Sequence, residues 1–503
     1  MRIVEVRKAF SNSGINFQAG KNYVMAEDVE GQHRSLFGDA LGLSYPIENV
    51  YRPYKGEDLN GKRLFAFRTG GIGDLGFLSA VVPYLKKKYP KCFLRIASGC
   101  KQPLENSPWI DELYDMPFDA KLLEDTDFQL MFQGIIESSS EASKRTHAVD
   151  MFFSYFGIDS IQFPPEEKRP QLYFNQGEMD WMKRTIQSMG ITDEDFVIGL
   201  QLETSSPLRN YPKEKLKAVV DVLAQEDKTK IVLIGTEAHE IIAQFYRGNN
   251  PKIIPALKFS VRQSIVLANR YNLIIAPDSF MVQVAGALEK PLIGLYGPFP
   301  SEVRMKYFKN AIGLDPAVAC SPCFKHDFRA CIKGFPSPCF TLINVEDILQ
   351  AADNLKHRFT GRHFNFMKDF LREPDLTDVE KYMMSADKGL TFFAGYYKHP
   401  NAITVDPNTF VKADISDLST EFKRDFYPFV LYTGMGFMPK HRGVFDGSKT
   451  LVRPGGHYII YMENSSEQFL VDVKRNLGES FIIIYAKFDP TKRSTVIVGK
   501  KQY

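Results

Sequence analysis

The chain has 503 residues, 44% hydrophobic and 24% charged. This composition excludes a disordered polyelectrolyte and predicts about three domains at roughly 100–200 residues each. Lys and Arg total 63 against 60 Asp and Glu, which excludes a strongly basic nucleic-acid wrapper but leaves room for a local basic cleft. No apolar run reaches the ~18 residues of a membrane span, and the opening MRIVEVRKAFSNSGINF lacks the apolar core of a signal peptide. A soluble, cytoplasmic protein is expected.

Residues 1–60 read as a small β-rich accessory module. IVEVRKAF and NFQAGKNYVM are short runs broken by turn residues, and YRPYKGEDLNGKR closes the module as a polar linker. From residue 61 the pattern changes. KRLFAFR is a buried strand, TGGIGDLG a glycine-rich turn, FLSAVVPYLKKKYP a helix ending at Pro90, and CFLRIAS a second strand. LYDMPF, DFQLMFQG and HAVDMFFSYFGI continue the alternation. Residues 61–185 are therefore expected to form one Rossmann-like domain, and residues 186–360 a second. The second is built on DFVIGLQLE, TKIVLIGT, KIIPAL, NLIIAPDS and PLIGLYG, with helical runs between them. The predicted fold class is α/β, two Rossmann-like domains facing a cleft. The helix VEDILQAADNLKHRF is expected to pack back across the pair. Residues 385–503 form a last α/β unit whose strands are GLTFFAG, AITVD, YPFVLYTG, GHYIIYM, SFIIIYAK and STVIVGK.

Three stretches carry chemistry. Arg68-Thr69-Gly70-Gly71-Ile72-Gly73-Asp74 joins a strand to a helix. Its glycines let backbone N–H groups approach a ligand, and the helix start favours negative charge. Asp74 falls at the carboxyl edge of the sheet, where a carboxylate can take a proton from an attacking hydroxyl. The plainer alternative is a capped turn. The turn is not GxGxxG, and no acidic residue follows at the spacing of an NAD site. Ala276-Pro277-Asp278-Ser279 ends a strand and opens a helix, either as an anion site for a diphosphate or as an ordinary cap. Ser205-Ser206-Pro207-Leu208-Arg209-Asn210-Tyr211-Pro212 offers hydroxyls and a guanidinium to a diphosphate, or is a solvated loop.

Taken in order, RTGGIGDLGFLSAVVPYLKKKYP, SSPLRNYPKEKL and APDSFMVQVAGALEKPLIGLYGP resemble the heptosyltransferase family of glycosyltransferases (family nine, GT-B fold) over residues 61–345. The resemblance implies metal-independent transfer of a sugar from a nucleotide-diphosphate sugar to an acceptor hydroxyl. Donor would lie on the second domain and acceptor on the first, with inversion at the anomeric centre. It implies Asp74 as general base, with Arg68, Gly70, Gly71 and Gly73 on the acceptor side. The donor-binding residues it implies are Ser205, Ser206, Arg209, Gly235, Thr236, Asp278, Ser279 and Gln283. Phe280 stands where the family usually has Gly, and Gln283 where it usually has His, so the sugar (hexosyl, heptosyl or pentosyl) is left open. The implied acceptor is a saccharide such as a lipopolysaccharide core. Multi-module chains of this style also resemble those of bacteriophages. In that setting the acceptor becomes a hydroxymethylated DNA base, with Arg63, Arg68, Lys86, Lys87, Lys88 and Arg95 forming a basic cleft.

Cys320, Cys323, Cys331 and Cys339 cluster late in the second domain. They read as a structural zinc site, with His326 a spare ligand, or as reduced packing thiols. In the last unit, Ala402–Asp406, Lys412–Leu418 and Leu451–His457 look like the later motifs of class I methyltransferases. The resemblance would place Asp406 on the cofactor ribose and Asp414 near its adenine. Phe393–His399 occupies the place of the glycine-rich opening loop, and Tyr396 and Tyr397 would crowd a cofactor. The unit therefore reads as a degenerate, non-catalytic relative that does not bind S-adenosylmethionine. Two alternative functions stand beside glycosyl transfer: a non-catalytic nucleotide-sugar or partner-binding protein on a decayed scaffold, and an S-adenosylmethionine-dependent methyltransferase.

Overall fold

The alternating runs at the start of the chain pair as antiparallel strands in the computed structural model. It describes residues 1–12, 15–136, 145–316, 320–325, 331–333, 339–366 and six strands beyond. The chain divides into two compact units, Met1–Leu314 with Pro322–Arg362, and Asp315–Ser321 with His363–Tyr503.

The first unit opens with β1 (Arg2–Val6), the hairpin β2 (Phe10–Asn12) and β3 (Ile15–Phe17), then β4 (Lys21–Met25) and β5 (Leu41–Pro46). A helix, Glu27–Phe37, separates β4 from β5. Next come the strands of the first lobe, β6 (Arg63–Arg68), β7 (Phe93–Ser98) and β8 (Glu112–Asp115), then the short β9 (Phe118–Asp119) and β10 (Phe128–Met131). Two sheets result, β5-β1-β4-β9 and β10-β6-β7-β8. The first is antiparallel and the second parallel.

The sequence of β6, RLFAFR, explains how the two sheets stack. Successive strand side chains point to opposite faces. Leu64 and Ala66 pack with Leu75, Leu78 and Val81 of the helix Ile72–Lys88 and with Phe152 of the helix Ala148–Tyr155. Phe65 and Phe67, both fully buried, meet Ile3, Val24, Phe118 and Leu123 instead. A parallel sheet in an α/β unit normally carries helices on both faces; here the opening strands cover one of them. Their own outer face is closed by Val4, Val6, Phe17, Tyr23, Met25 and Leu41.

The second lobe contains β11 (Phe196–Gln201), β12 (Thr229–Ile234), β13 (Ile253–Ala256), β14 (Leu273–Pro277), β15 (Leu292–Leu295) and β16 (Ala311–Leu314). They form one parallel sheet in the order β13-β12-β11-β14-β15-β16. Their Val/Ile/Leu content fits strands buried on both faces. The helix Val345–Thr360 packs on the helix Lys213–Gln225 and on β14, β15 and β16. It belongs to the second lobe, and this corrects the expectation that it spans the pair. The reason is visible just before it, where Tyr211 and Lys215 both donate to the Ile343 carbonyl, at 2.9 and 3.1 Å.

In both lobes the strand order reverses once, between β6 and β10 and between β11 and β14. Open α/β sheets bind ligands outside the carboxyl ends of their strands at such a reversal.

In the second unit the six expected runs are strands: β17 (Gly389–Phe392), β18 (Ala402–Val405), β19 (Tyr427–Met435), β20 (Val452–Glu463), β21 (Phe481–Asp489) and β22 (Ser494–Lys501). They form a sheet in the order β18-β17-β19-β20-β22-β21, in which β22 runs antiparallel to both neighbours.

Candidate functional site

At the first reversal the chain leaves β6 through Gly71, whose φ is +82°; a Cβ there would stand 2.5 Å from both Arg68 Nη2 and Asp74 Oδ2. Only glycine meets both demands. The turn delivers Asp74 to the first turn of the helix Ile72–Lys88, where the helix N-terminus favours a carboxylate. Arg68, 3% exposed, pairs with Asp74 at 2.7 Å. It also donates to the carbonyls of Gly70 and Phe132 and lies over the Phe132 ring. Arg68 is thus the buried counter-ion of Asp74.

At the second reversal β11 ends at Gln201 and leads into a loop closed on itself. Thr204 donates to Asn210 Oδ1 through both its backbone N–H and its hydroxyl, at 2.7 and 3.0 Å. The loop carries Arg209, which donates to the Asp278 carbonyl at 2.8 Å and to Ser205 Oγ at 3.4 Å; its Nε is buried without a hydrogen-bond partner. Asp278 follows β14, and its N–H donates to the Leu295 carbonyl at 3.1 Å. Ser279 stands at the N-cap position of the helix Phe280–Ala287, but its hydroxyl donates to Gln201 Oε1 and makes no capping hydrogen bond. Gln283, 3% exposed, donates from Nε2 to the Arg304 carbonyl at 3.5 Å, while its Oε1 is buried without a partner.

The lobes meet where Gly76 lets the two helices close up: a Cβ there would lie 2.8 Å from the Gln283 Cβ. Above this contact a cavity of about 450 Å³ opens between the two reversals. Gly71, Gly73 and Asp74 line it from the first lobe, and Ser205, Arg209, Asp278, Ser279 and Gln283 from the second. Four further charged or polar wall residues, Gln201, Glu203, Thr204 and Arg304, were not read from the sequence. Glu203 ends the run DFVIGLQLE, a position that could have flagged it. Arg304 lies in no recognisable pattern.

Other expected residues lie elsewhere. Gly70 and Ser206 do not line the cavity, and neither do Gly235 and Thr236. Thr236 N–H donates to His239 Nδ1 at 2.9 Å, and His239 in turn reaches Glu203 at 3.7 Å. The six basic residues do not stand as an open cleft. Arg63 pairs with Asp125, Lys86 with Asp111, and Arg95 with Glu112 and Asp125. Lys88 donates to the Gly157 carbonyl, and Lys87 lies over the Tyr84 ring.

The zinc site is not supported. Among the described residues no group of three or more His, Cys, Asp or Glu could hold a metal ion, and the four cysteines form no disulfide. His326, Asp406, Asp414 and Phe393–His399 lie outside the described residues.

Near the cavity, His147 of the first lobe packs against Tyr307 of the second, with ring centroids 4.3 Å apart and the planes tilted by 44°. It caps the helix Ala148–Tyr155 through Nδ1, and its Nε2 is buried without a partner. Burial, opposed by the charge of Asp150, pushes its pKa down to about 3. Tyr307 donates to Asp150 Oδ2 at 2.5 Å, and Lys168 to Oδ1 at 3.1 Å.

Residues 134–331 match the family model for glycosyltransferase family 9 (heptosyltransferase). A lipopolysaccharide heptosyltransferase 1 of Campylobacter coli is 23% identical over 291 residues, 48% of this chain and 85% of the relative. Among solved structures, a family 9 glycosyl transferase of Veillonella parvula is 19% identical with a TM-score of 0.48, over 60% of this chain and 98% of that one. The E. coli ADP-heptose lipopolysaccharide heptosyltransferase II is 15% identical with a TM-score of 0.46, over 59% and 99%. The family match and the Campylobacter relative agree with the enzyme class read from the sequence, a glycosyltransferase with its sugar class open.

Proposed function

We propose that the protein transfers a sugar from a nucleotide-diphosphate sugar to a hydroxyl of a saccharide acceptor, with Asp74 as general base. One observation carries this reading. A carboxylate from the first strand-order reversal and the Arg209–Asp278–Ser279 group from the second line one cavity. The family match and the Campylobacter relative support the same chemistry.

The steps follow from the residue types. Asp74, held by its ion pair with Arg68, takes the proton of the acceptor hydroxyl as that oxygen attacks the anomeric carbon. The bond from carbon to diphosphate oxygen breaks, and its electron pair leaves with the nucleoside diphosphate. Arg209 and the backbone start of the helix Phe280–Ala287 offset the charge that develops there. Protein cations fill the role a metal would take, so the reading is metal-independent. A single displacement inverts the anomeric centre. A saccharide is favoured over a DNA base because the basic residues that would track a phosphate backbone are engaged in ion pairs, carbonyl contacts and ring contacts. Release of nucleoside diphosphate from a panel of nucleotide sugars, with a lipopolysaccharide core as acceptor, tests the reading. Asp74→Asn is expected to lower kcat by about 10²–10⁴-fold with donor affinity little changed. Full turnover by this variant removes Asp74 from the base role.

For residues 385–503 we infer a methyltransferase-like unit without methyl transfer. The order reversal between β17 and β19 supports a Rossmann-like sheet there. Calorimetry with S-adenosylmethionine is expected to show no binding heat; measurable binding overturns this part.

A further inference from the structure

Arg304 belongs to none of the stretches that carry chemistry in the sequence. It lies in the short helix Glu302–Met305 and is 7% exposed, yet it lines the cavity. Its guanidinium carbon stands 5.9 Å from the Phe77 ring of the first lobe and 4.9 Å from the Phe299 ring of the second. Its nearest anion among the described residues is Asp278, with Nε 3.6 Å from Oδ1. That distance is long beside the roughly 2.7–2.9 Å of a charge-assisted hydrogen bond. Its terminal nitrogens donate to no described residue.

The other oxygen of Asp278 faces a second cation, Arg209 Nη1, at 4.0 Å. The buried guanidinium of Arg304 and the partly buried one of Arg209 therefore share one buried carboxylate, both at long range, and the buried Nε of Arg209 has no hydrogen-bond partner. Buried charge is costly when it is not matched. Around Asp278 two guanidiniums thus face a single carboxylate within 4.0 Å, at the place where a diphosphate would enter.

We propose that Arg304 is a second anion-binding cation of the cleft, acting with Arg209 on the diphosphate of the donor. This rests on the transfer reading above. When the bond from carbon to oxygen breaks, its electron pair goes to the diphosphate, and the proton lost by the acceptor goes to Asp74. The new charge appears on the phosphate nearest the sugar, and Arg304 meets it there.

The test is titration calorimetry of the full chain with ADP, UDP, GDP and CDP. The tightest of these is then compared with its own monophosphate for wild type, Arg304→Gln and Arg304→Lys. Arg304→Gln is expected to bind the diphosphate at least ~10-fold more weakly and the monophosphate less than ~3-fold more weakly, as removal of one charged hydrogen bond predicts. Arg304→Lys should fall between wild type and Arg304→Gln. It also keeps the test decisive if the glutamine variant fails to fold. Unchanged diphosphate affinity in Arg304→Gln overturns the proposal, leaves the transfer reading intact, and points to an anion on the acceptor instead. Equal losses for both nucleotides with a lowered Tm make Arg304 a structural residue and also overturn it. If wild type binds no nucleoside diphosphate, the transfer reading itself fails.

Discussion

Gly71 shows how much a single position controls at the catalytic turn. Its φ of +82° and the absence of a side chain allow Arg68 and Asp74 to meet beside it. Gly71→Ala is expected to cost about 1–2 kcal/mol from the left-handed backbone alone, read by urea denaturation. It should also lower turnover by displacing the Asp74 carboxylate, so a variant with wild-type kcat would contradict the placement. This turn was legible because its chemistry is local: consecutive glycines ahead of an acidic residue at a strand-to-helix junction. The pairing of Arg68 with Asp74 was not legible, because it depends on side-chain direction within the folded turn. Arg304 escaped for a different reason. It reaches the cavity only because a short helix between β15 and β16 docks against Phe77 of the other lobe. His147 gives the pH dependence. Its folded pKa of about 3 lies below its ordinary value of 6.5. The stability it carries is therefore present above about pH 6.5 and is lost as pH falls from there toward 3. Between pH 6.5 and 5 this amounts to about 2 kcal/mol. His147→Phe, which keeps a ring against Tyr307, should flatten that decline in urea unfolding; parallel pH profiles for the two proteins would refute the assignment.

Strand β6 is the element on which the first lobe is organised. Its Leu64 and Ala66 serve the helical face, and its two phenylalanines serve the opening sheet. Phe67→Ala should destabilise the protein by about 3–5 kcal/mol, seen as a lower urea midpoint, whereas an exposed ring would cost almost nothing. The strands and helices of both lobes were readable from periodicity, because a buried parallel strand is a short apolar run and its helix carries a polar face. What covers the second face of β6 was not readable. The opening residues pair with one another locally, but β4 also pairs with β9, Val24 opposite Phe118, and no local pattern announces a partner so distant. The helix Val345–Thr360 was likewise clear as a helix, while its docking surface was set by Tyr211 and Lys215 reaching for one carbonyl.

Across the two lobes, the cavity depends on how closely they approach. At Gly76 their helices approach closely, with no room for a Cβ against Gln283. Nearby, Tyr307 donates to Asp150, and Arg262 of the second lobe donates to the Gln102 carbonyl at 3.0 Å and stands 3.4 Å from Glu105. Gly76→Val should wedge the helices apart. We expect kcat/KM to fall at least about 10-fold, as misplacement of reacting groups predicts, with an increased radius of gyration in solution scattering. An unchanged radius with unchanged kcat/KM would mean that this contact does not set the separation.

The pairing of β4 with β9 also orders events during synthesis. The first sheet has no partner for that edge until a segment more than ninety residues downstream has left the ribosome. At the usual elongation speed this takes roughly 5–20 s. Through that interval the nascent chain presents an open strand edge, the kind of surface that recruits a chaperone or a second nascent copy.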